Sequence, residues 1–158
     1  MEIAIRKMKP SDLEQAIAVL ENWNMAPRPE EPDAERSGIE VDHAFVALDG
    51  NRVIGMASYL LLSEKEAETA SLAVDPDYKG QGIGYRLQVA RLSEMRARGI
   101  ERVHTETDRP ETIRWYIEKF GYRKVGANLK KHDFSLSDVD HWTVLELDLS
   151  KVAWREEN

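Results

Sequence analysis

The chain has 158 residues, 42% hydrophobic and 32% charged, which is the balance of a single soluble globular domain. It contains no cysteine, so disulfides, thiolate zinc sites and a cysteine nucleophile are excluded. A formal net charge of -7 argues against a general nucleic-acid or anionic-membrane binder, which needs a basic excess, and is compatible with a cationic substrate.

The start, Met1 to Arg6, lacks the apolar core of a signal peptide, and no apolar run is long enough to cross a membrane. The cytoplasm is therefore the expected location. Ile3 to Arg6 alternates weakly and reads as a first strand. Pro10 precedes Ser11-Asp12-Leu13-Glu14, the spacing of a capping box in which Ser11 caps and Glu14 reaches back. Leu13, Ala16, Ile17 and Leu20 then fall on one helical face. From Asn22 to Asp42 three prolines, Pro27, Pro29 and Pro32, sit among acids, and the spacing predicts a loop or broken helix.

Ala44 to Leu48 and Val53 to Leu62 are strand-like, joined by the turn Asp49-Gly50-Asn51-Arg52. A second turn at Glu64-Lys65-Glu66 leads into a strand from Glu68 to Val74. Glycines follow at Gly80, Gly82 and Gly84. Ile83, Leu87 and Ala90 mark a helix that Gly99 closes. Arg102 to Thr107 is a short strand. Pro110 suits a first helical position, and Ile113, Tyr116, Ile117 and Phe120 share the face of that helix. Tyr122 to Val125 and Trp142 to Leu149 are the last strands, with a polar excursion between them.

The expected order is β-α-β-β-β-α-β-α-β-β. It predicts an α/β (α+β) fold with a mixed, mostly antiparallel central sheet and helices on both faces. One domain covers residues 1–150, and 151–158 form a C-terminal tail.

Glycines between a strand and a helix leave room for a phosphate. No G-x-x-x-x-G-K-[ST] run exists, which excludes a P-loop. A dinucleotide loop fails at the sixth position, where Tyr85 stands, and the glycines follow an antiparallel meander instead of opening a βαβ unit. The remaining reading is a coenzyme A pyrophosphate loop. Backbone N–H groups from Gln81 to Tyr85, including Ile83, and a helix N-terminus would meet the phosphates, with Lys79 and Arg86 adding charge.

"LAVDPDYKGQGIGYRL" is similar to the cofactor motif of the GNAT superfamily of acyl-CoA-dependent N-acetyltransferases, with Lys79 where the pattern [QR]-x-x-G-x-[GA] has Gln or Arg. "WYIEKFGYRKVG" resembles a second family pattern, a Tyr four residues before a Gly-preceding aromatic, here Tyr116 before Phe120-Gly121-Tyr122. The element order is also the family's, so the resemblance covers nearly the whole chain and implies the GNAT fold. The chain departs from the family at Arg109 and Thr112, where Asn and Ala are frequent. Arg109 is then available to a phosphate or a substrate carboxylate.

The resemblance implies direct attack of an amine on the thioester of acetyl-CoA in a ternary complex, with no metal. It assigns Tyr116 as the acid that protonates the leaving thiolate; the alternative is a core tyrosine on an apolar face. It assigns the backbone of Leu72, Ala73 and Val74 as the docking edge for pantetheine. Glu68 is the candidate base. In a regular strand it shares a face with Ala70, Leu72 and Val74; the alternative is a solvated Glu. His104 is a further candidate.

The acceptor pocket is expected from residues 22–42 and 130–141, with Trp23, Arg28, His132 and His141 as substrate-binding candidates, and Arg36, Lys131 and Trp142 nearby. A small amino-acid-like or polyamine-like amine is the expected acceptor. Acetylation of a protein N-terminus or lysine, and a non-catalytic acyl-CoA sensor, are the alternatives. Neither nucleic acid nor membrane is expected as a partner, and a homodimer stays open.

Overall fold

The computed structural model describes residues 2–28 and 39–151. Seven strands form one sheet: β1 (Ile3–Lys7), β2 (Ala44–Asp49), β3 (Arg52–Leu61), β4 (Glu66–Val74), β5 (Arg102–Thr107), β6 (Arg123–Leu129) and β7 (His141–Asp148). Among the described residues three α-helices accompany them: α1 (Leu13–Glu21), α2 (Ile83–Ala97) and α3 (Pro110–Phe120). The strand order is β1-β2-β3-β4-β5-β7-β6, and β4–β5 is the parallel pair in an otherwise antiparallel sheet. This is the mixed sheet that the element order predicted.

The helices take opposite faces because their apolar stripes demand it. Ala16, Val19 and Leu20 of α1 pack with Met8, Val46, Met56 and Ala73. On the other face, Ile83 and Leu87 of α2 pack with Phe45, Ala47, Ile54 and Ala57. Tyr116 and Phe120 of α3 join Leu92 and Met95 of α2 over Leu145 and Leu147 of β7.

Two local expectations need correction. The start of α1 is organised by Asp12, not Ser11. A 3-10 turn spans Pro10–Asp12, the Lys9 N–H donates to Asp12 Oδ2 at 2.8 Å, and Arg6 forks onto both carboxylate oxygens at 2.7 and 3.1 Å. The hydrogen bonds from Arg6 hold the Asp12 carboxyl below the usual carboxylate range. The sixth strand is also longer than expected, running to Leu129 through an irregularity at Lys124–Gly126, while Tyr122 is buried ahead of it. Residues 29–38 of the proline-rich segment, including Arg36, lie outside the described residues, as does the expected tail beyond Lys151.

Candidate active site

Strands β4 and β5 pair from Glu66↔Arg102 to Thr69↔Thr105 and no further. Beyond that rung β4 continues along β3 to the pair Gly55↔Val74, and β5 continues along β7 to Thr107↔Thr143. A V-shaped opening results, with β4 residues 70–74 lacking a strand on that side. The Asp75 N–H donates to Ile54 O at 2.7 Å. By alternation, Ala73 turns its backbone groups to β3, whereas Leu72 and Val74 turn theirs into the opening. The expected docking edge is thus an unpaired strand edge, the geometry that accepts an added strand.

A bulge coincides with the opening. Ser58 pairs with Ser71, but Tyr59 pairs with Thr69, so Ala70 is the extra residue. Leu72 and its partner Ala57 lie on the α2 face, and Ala73 and Met56 on the α1 face. Below the bulge the facing reverses, since Ala67 packs with Tyr59, Leu92 and Met95. Glu68 therefore points to the α1 face, opposite Leu72 and Val74, which corrects the facing expected of a regular strand. Its partner across the rung is His104, whose ring lies between Glu66 (Nε2 to Oε2, 3.2 Å) and Glu146 (Nδ1 to Oε2, 3.7 Å).

The glycine segment follows directly. Asp75 caps a 3-10 turn at Pro76–Tyr78 by accepting from the Asp77 N–H at 2.9 Å. Gly80 (φ 84°) and Gly82 (φ 74°) are left-handed, a conformation that side chains disfavour. Gly82 is the N-cap of α2, and the first helical N–H groups, Ile83 to Tyr85, have no carbonyl one turn earlier to bond. Gly84 differs, for its φ is ordinary and a Cβ there meets only Val74 Cγ2, at 3.9 Å. The protein itself has space for a methyl group at that position. Lys79 and Gln81 are exposed beside the loop. Tyr85 instead stacks on Phe120, with centroids 5.1 Å apart.

Two of the proposed phosphate cations are engaged elsewhere. Arg86 Nη1 donates to Ile3 O at 2.9 Å. Arg109, the N-cap of α3, lies 5.1 Å over the Trp23 ring, whose Nε1 donates to Val74 O at 3.0 Å. Trp23, expected as a substrate-binding residue, thus meets the end of the docking edge.

Tyr116 is 4% exposed, and its ring packs on Trp115 and Tyr122. Its hydroxyl oxygen accepts from Arg91 Nη2 at 2.9 Å. Arg91 had not been singled out. It is completely buried, and its remaining bonds go to Gln88 Oε1 (2.6 Å), Ser58 O (2.9 Å) and Ser71 O (2.8 Å). A sequence signal existed: Arg91 is four residues after Leu87 and eight after Ile83, a cation on an apolar helix face.

On the acceptor side, the two expected segments are bonded to each other. Asn24 Nδ2 donates to Asp133 O, the Ser135 N–H donates to Asn24 O at 2.9 Å, and Arg28 pairs with Asp133 at 2.8 Å while covering the Phe134 ring at 4.1 Å. Arg28 is therefore part of this clasp. His132 is half-buried in the same loop, and His141 is exposed beside Asp140 at 3.1 Å. Beneath the loop lies a buried ion pair that sequence reading missed. Lys130 Nζ donates to Asp108 Oδ2 (2.7 Å), Phe134 O (2.9 Å) and Leu136 O (2.7 Å). Asp108 also accepts from Ser135 Oγ and the Leu136 N–H. Burial pushes the Asp108 carboxyl up, but these hydrogen bonds outweigh it and hold the group below the usual range. Among the described residues no cluster of three His, Asp or Glu could hold a metal, and no helix is long and apolar enough to cross a membrane.

Comparison with known proteins matches residues 11–122 to the family described as "Acetyltransferase (GNAT) family". The N-alpha-acetyltransferase RimI of Mycobacterium tuberculosis is 28% identical over 106 residues, 65% of this chain and 65% of that protein. Among solved structures, Ard1 from Thermoplasma volcanium superposes with a TM-score of 0.76 at 21% identity, covering 98% of this chain and 100% of that one. N-acetylglutamate synthase from Neisseria gonorrhoeae, complexed with coenzyme A and N-acetyl-glutamate, superposes with a TM-score of 0.69 at 18% identity, covering 94% of this chain and 35% of the other.

Proposed function

Since the chain belongs to the acetyltransferase (GNAT) family, we propose that it transfers an acetyl group from acetyl-CoA to a primary amine in a ternary complex. The observation that carries this reading is the unpaired edge of β4 at residues 70–74, continuous with the glycine segment that opens α2. Pantetheine would lie along Leu72 to Val74 as an added strand. The pyrophosphate would take the N–H groups of residues 81–85, with the partial positive charge of the helix behind them.

The chemistry follows from what surrounds that edge. The amine nitrogen attacks the thioester carbon, and backbone N–H groups facing the opening stabilise the oxyanion. Collapse expels the thiolate, and Tyr116 supplies its proton; an ordinary phenol, near 10, and a thiol, near 8.5, are close enough for that transfer. Glu68, turned to the α1 face by the bulge, is the proposed base for the ammonium of the acceptor.

The acceptor is proposed to be a small amine. The clasp between residues 24–28 and 133–135 supports this, because it bridges the two segments that a peptide would have to part. A second reading, an N-terminal α-amine of a protein, is favoured by the likeness to RimI. A panel of amino acids, polyamines and short peptides with free or blocked N-termini, followed as release of CoA thiol, separates them. Turnover with peptides alone would overturn the small-amine reading. If CoA binds and no amine raises release, the acyltransferase reading falls in favour of a sensor.

A further inference from the structure

We propose that Arg91 is a positioning residue, the fixed counter-charge that holds the Tyr116 hydroxyl for proton transfer and ties it to the bulge of β4. The proposal rests on the reading of Tyr116 as the acid. Arg91 is a cation with no accessible surface, on a helix whose neighbouring Leu87, Val89 and Leu92 are buried in the apolar core. Burying a charge is costly unless its partners compensate, and a buried arginine ordinarily takes a carboxylate. Among the described residues its four acceptors are a side-chain amide, two backbone carbonyls and a phenol oxygen. The positive charge is therefore paired with dipoles alone.

The geometry gives this charge two tasks. Nη1 takes Ser58 O and Ser71 O together, the two carbonyls of the rung beside Ala70, where the bulge interrupts the ladder. That holds the bulge itself, while the β3–β4 ladder on either side of it keeps the docking edge in place. Nη2 occupies a lone pair of the Tyr116 oxygen at 2.9 Å. The phenol must then aim its own proton away from the guanidinium. One planar side chain thus couples the bulge beside the edge that carries the acyl donor to the group that protonates its leaving sulfur, a coupling the forked geometry of arginine suits.

In the proton step the C–S bond of the tetrahedral adduct breaks and its electron pair goes to sulfur. Tyr116 gives that sulfur its proton and keeps the O–H electron pair as phenolate. The hydrogen bond from Arg91, already charge-assisted, becomes an ion pair at that moment, and so is stronger after the transfer than before it. The phenolate regains a proton from solvent before the next turnover.

The test compares Arg91→Met, which keeps length and fill but no charge, with Arg91→Lys, which keeps charge, each alone and with Tyr116→Phe. Release of CoA thiol is measured with the best amine of the panel, and folding by thermal unfolding. The expected result is a folded Arg91→Met protein with kcat down about 10–100-fold, KM for acetyl-CoA changed less than about threefold, and partial recovery in Arg91→Lys. In the Tyr116→Phe background Arg91→Met should cost several-fold less than it does alone, because only its hold on Ser58 O and Ser71 O is left to lose.

Equal losses in both backgrounds, or unchanged kcat in folded Arg91→Met, overturn the proposal. Full kcat in Tyr116→Phe overturns the acid assignment itself, a distinct failure read in a different variant. A readout independent of any acceptor is the ¹³Cζ resonance of Tyr116 in ¹³C-tyrosine protein, assigned by its loss in Tyr116→Phe. It should move in Arg91→Lys even if Arg91→Met does not fold. An unmoved resonance would show that the contact is not made.

Discussion

At the scale of single residues, the sharpest position is Gly84. Gly80 and Gly82 are required by their own backbone conformation, so replacing them strains the loop whether or not a ligand binds. Gly84 has ordinary φ and space for a methyl group. Gly84→Ala is expected to leave thermal stability unchanged or slightly raised, since alanine suits a helix better than glycine by about 1 kcal/mol. A bulky replacement, Gly84→Leu, should instead weaken CoA binding measurably by calorimetry, because a side chain larger than the methyl group that the family pattern admits would stand where the phosphates approach. Unchanged affinity would remove the phosphate-loop assignment. Tyr116→Phe is expected to lower kcat about 10²-fold or more with little change in the KM for acetyl-CoA. Glu68→Gln should depress the rate and remove the acidic limb of the pH–rate profile; an identical profile would eliminate Glu68 as the base. The glycines and Tyr116 were legible because each belongs to a short motif with fixed spacing. Arg91 was legible only as an anomaly, a charge where the helical period calls for an apolar side chain, and its partners come from β3, β4 and α3.

At the scale of elements, the bulge in β4 and the loop before β7 decide what faces the acceptor. Strand periodicity alone placed Glu68 with Leu72, and one extra residue at Ala70 reversed that facing. The loop is held by Lys130 and Asp108, 5% and 1% exposed. Removing one partner leaves the other charge buried alone, so Lys130→Met is expected to cost about 3–5 kcal/mol in denaturant unfolding. The pair also predicts acid sensitivity. The Asp108 carboxyl titrates below its unfolded value, near 3.9, so its contribution is present above that pH and is lost as the pH falls through the folded value. Amide protection in residues 130–136, relative to the intrinsic exchange rate, should therefore fall at acid pH before protection in α2 does. Simultaneous loss of protection in both would contradict a local role for the pair.

At the scale of the whole molecule, three apolar clusters join both helix layers to one sheet, and a small fourth one, Phe134 with Trp142, lies under the loop before β7. Unfolding is expected to be a single transition. If the opening between β4 and β5 holds CoA, the ligand should raise the transition temperature, with about 2.7 kcal/mol of added stability at a hundredfold excess over Kd. No shift at saturating CoA would count against the site. The net charge of -7 adds a kinetic expectation. Turnover of a cationic amine at low concentration should fall as salt rises from about 10 to 200 mM, because screening shortens the reach of the field to about 10 Å or less.

Sequence determined what is local. Helical and strand periods, proline and glycine punctuation and two short motifs were enough for the order of elements and the mixed sheet, and for naming the glycine loop and Tyr116 as candidates, because those signals are carried by neighbours along the chain. Tertiary structure decided what depends on distant partners. The Ser58–Ser71 and Tyr59–Thr69 pairing is a relation between two strands, and it alone turned Glu68 to the other face. The clasp of Asn24 and Arg28 on the loop near Asp133 joins residues more than a hundred positions apart. The buried Arg91 acquires its meaning only when β3, β4 and α3 close around it, since a buried cation is defined by the oxygens that pair with it.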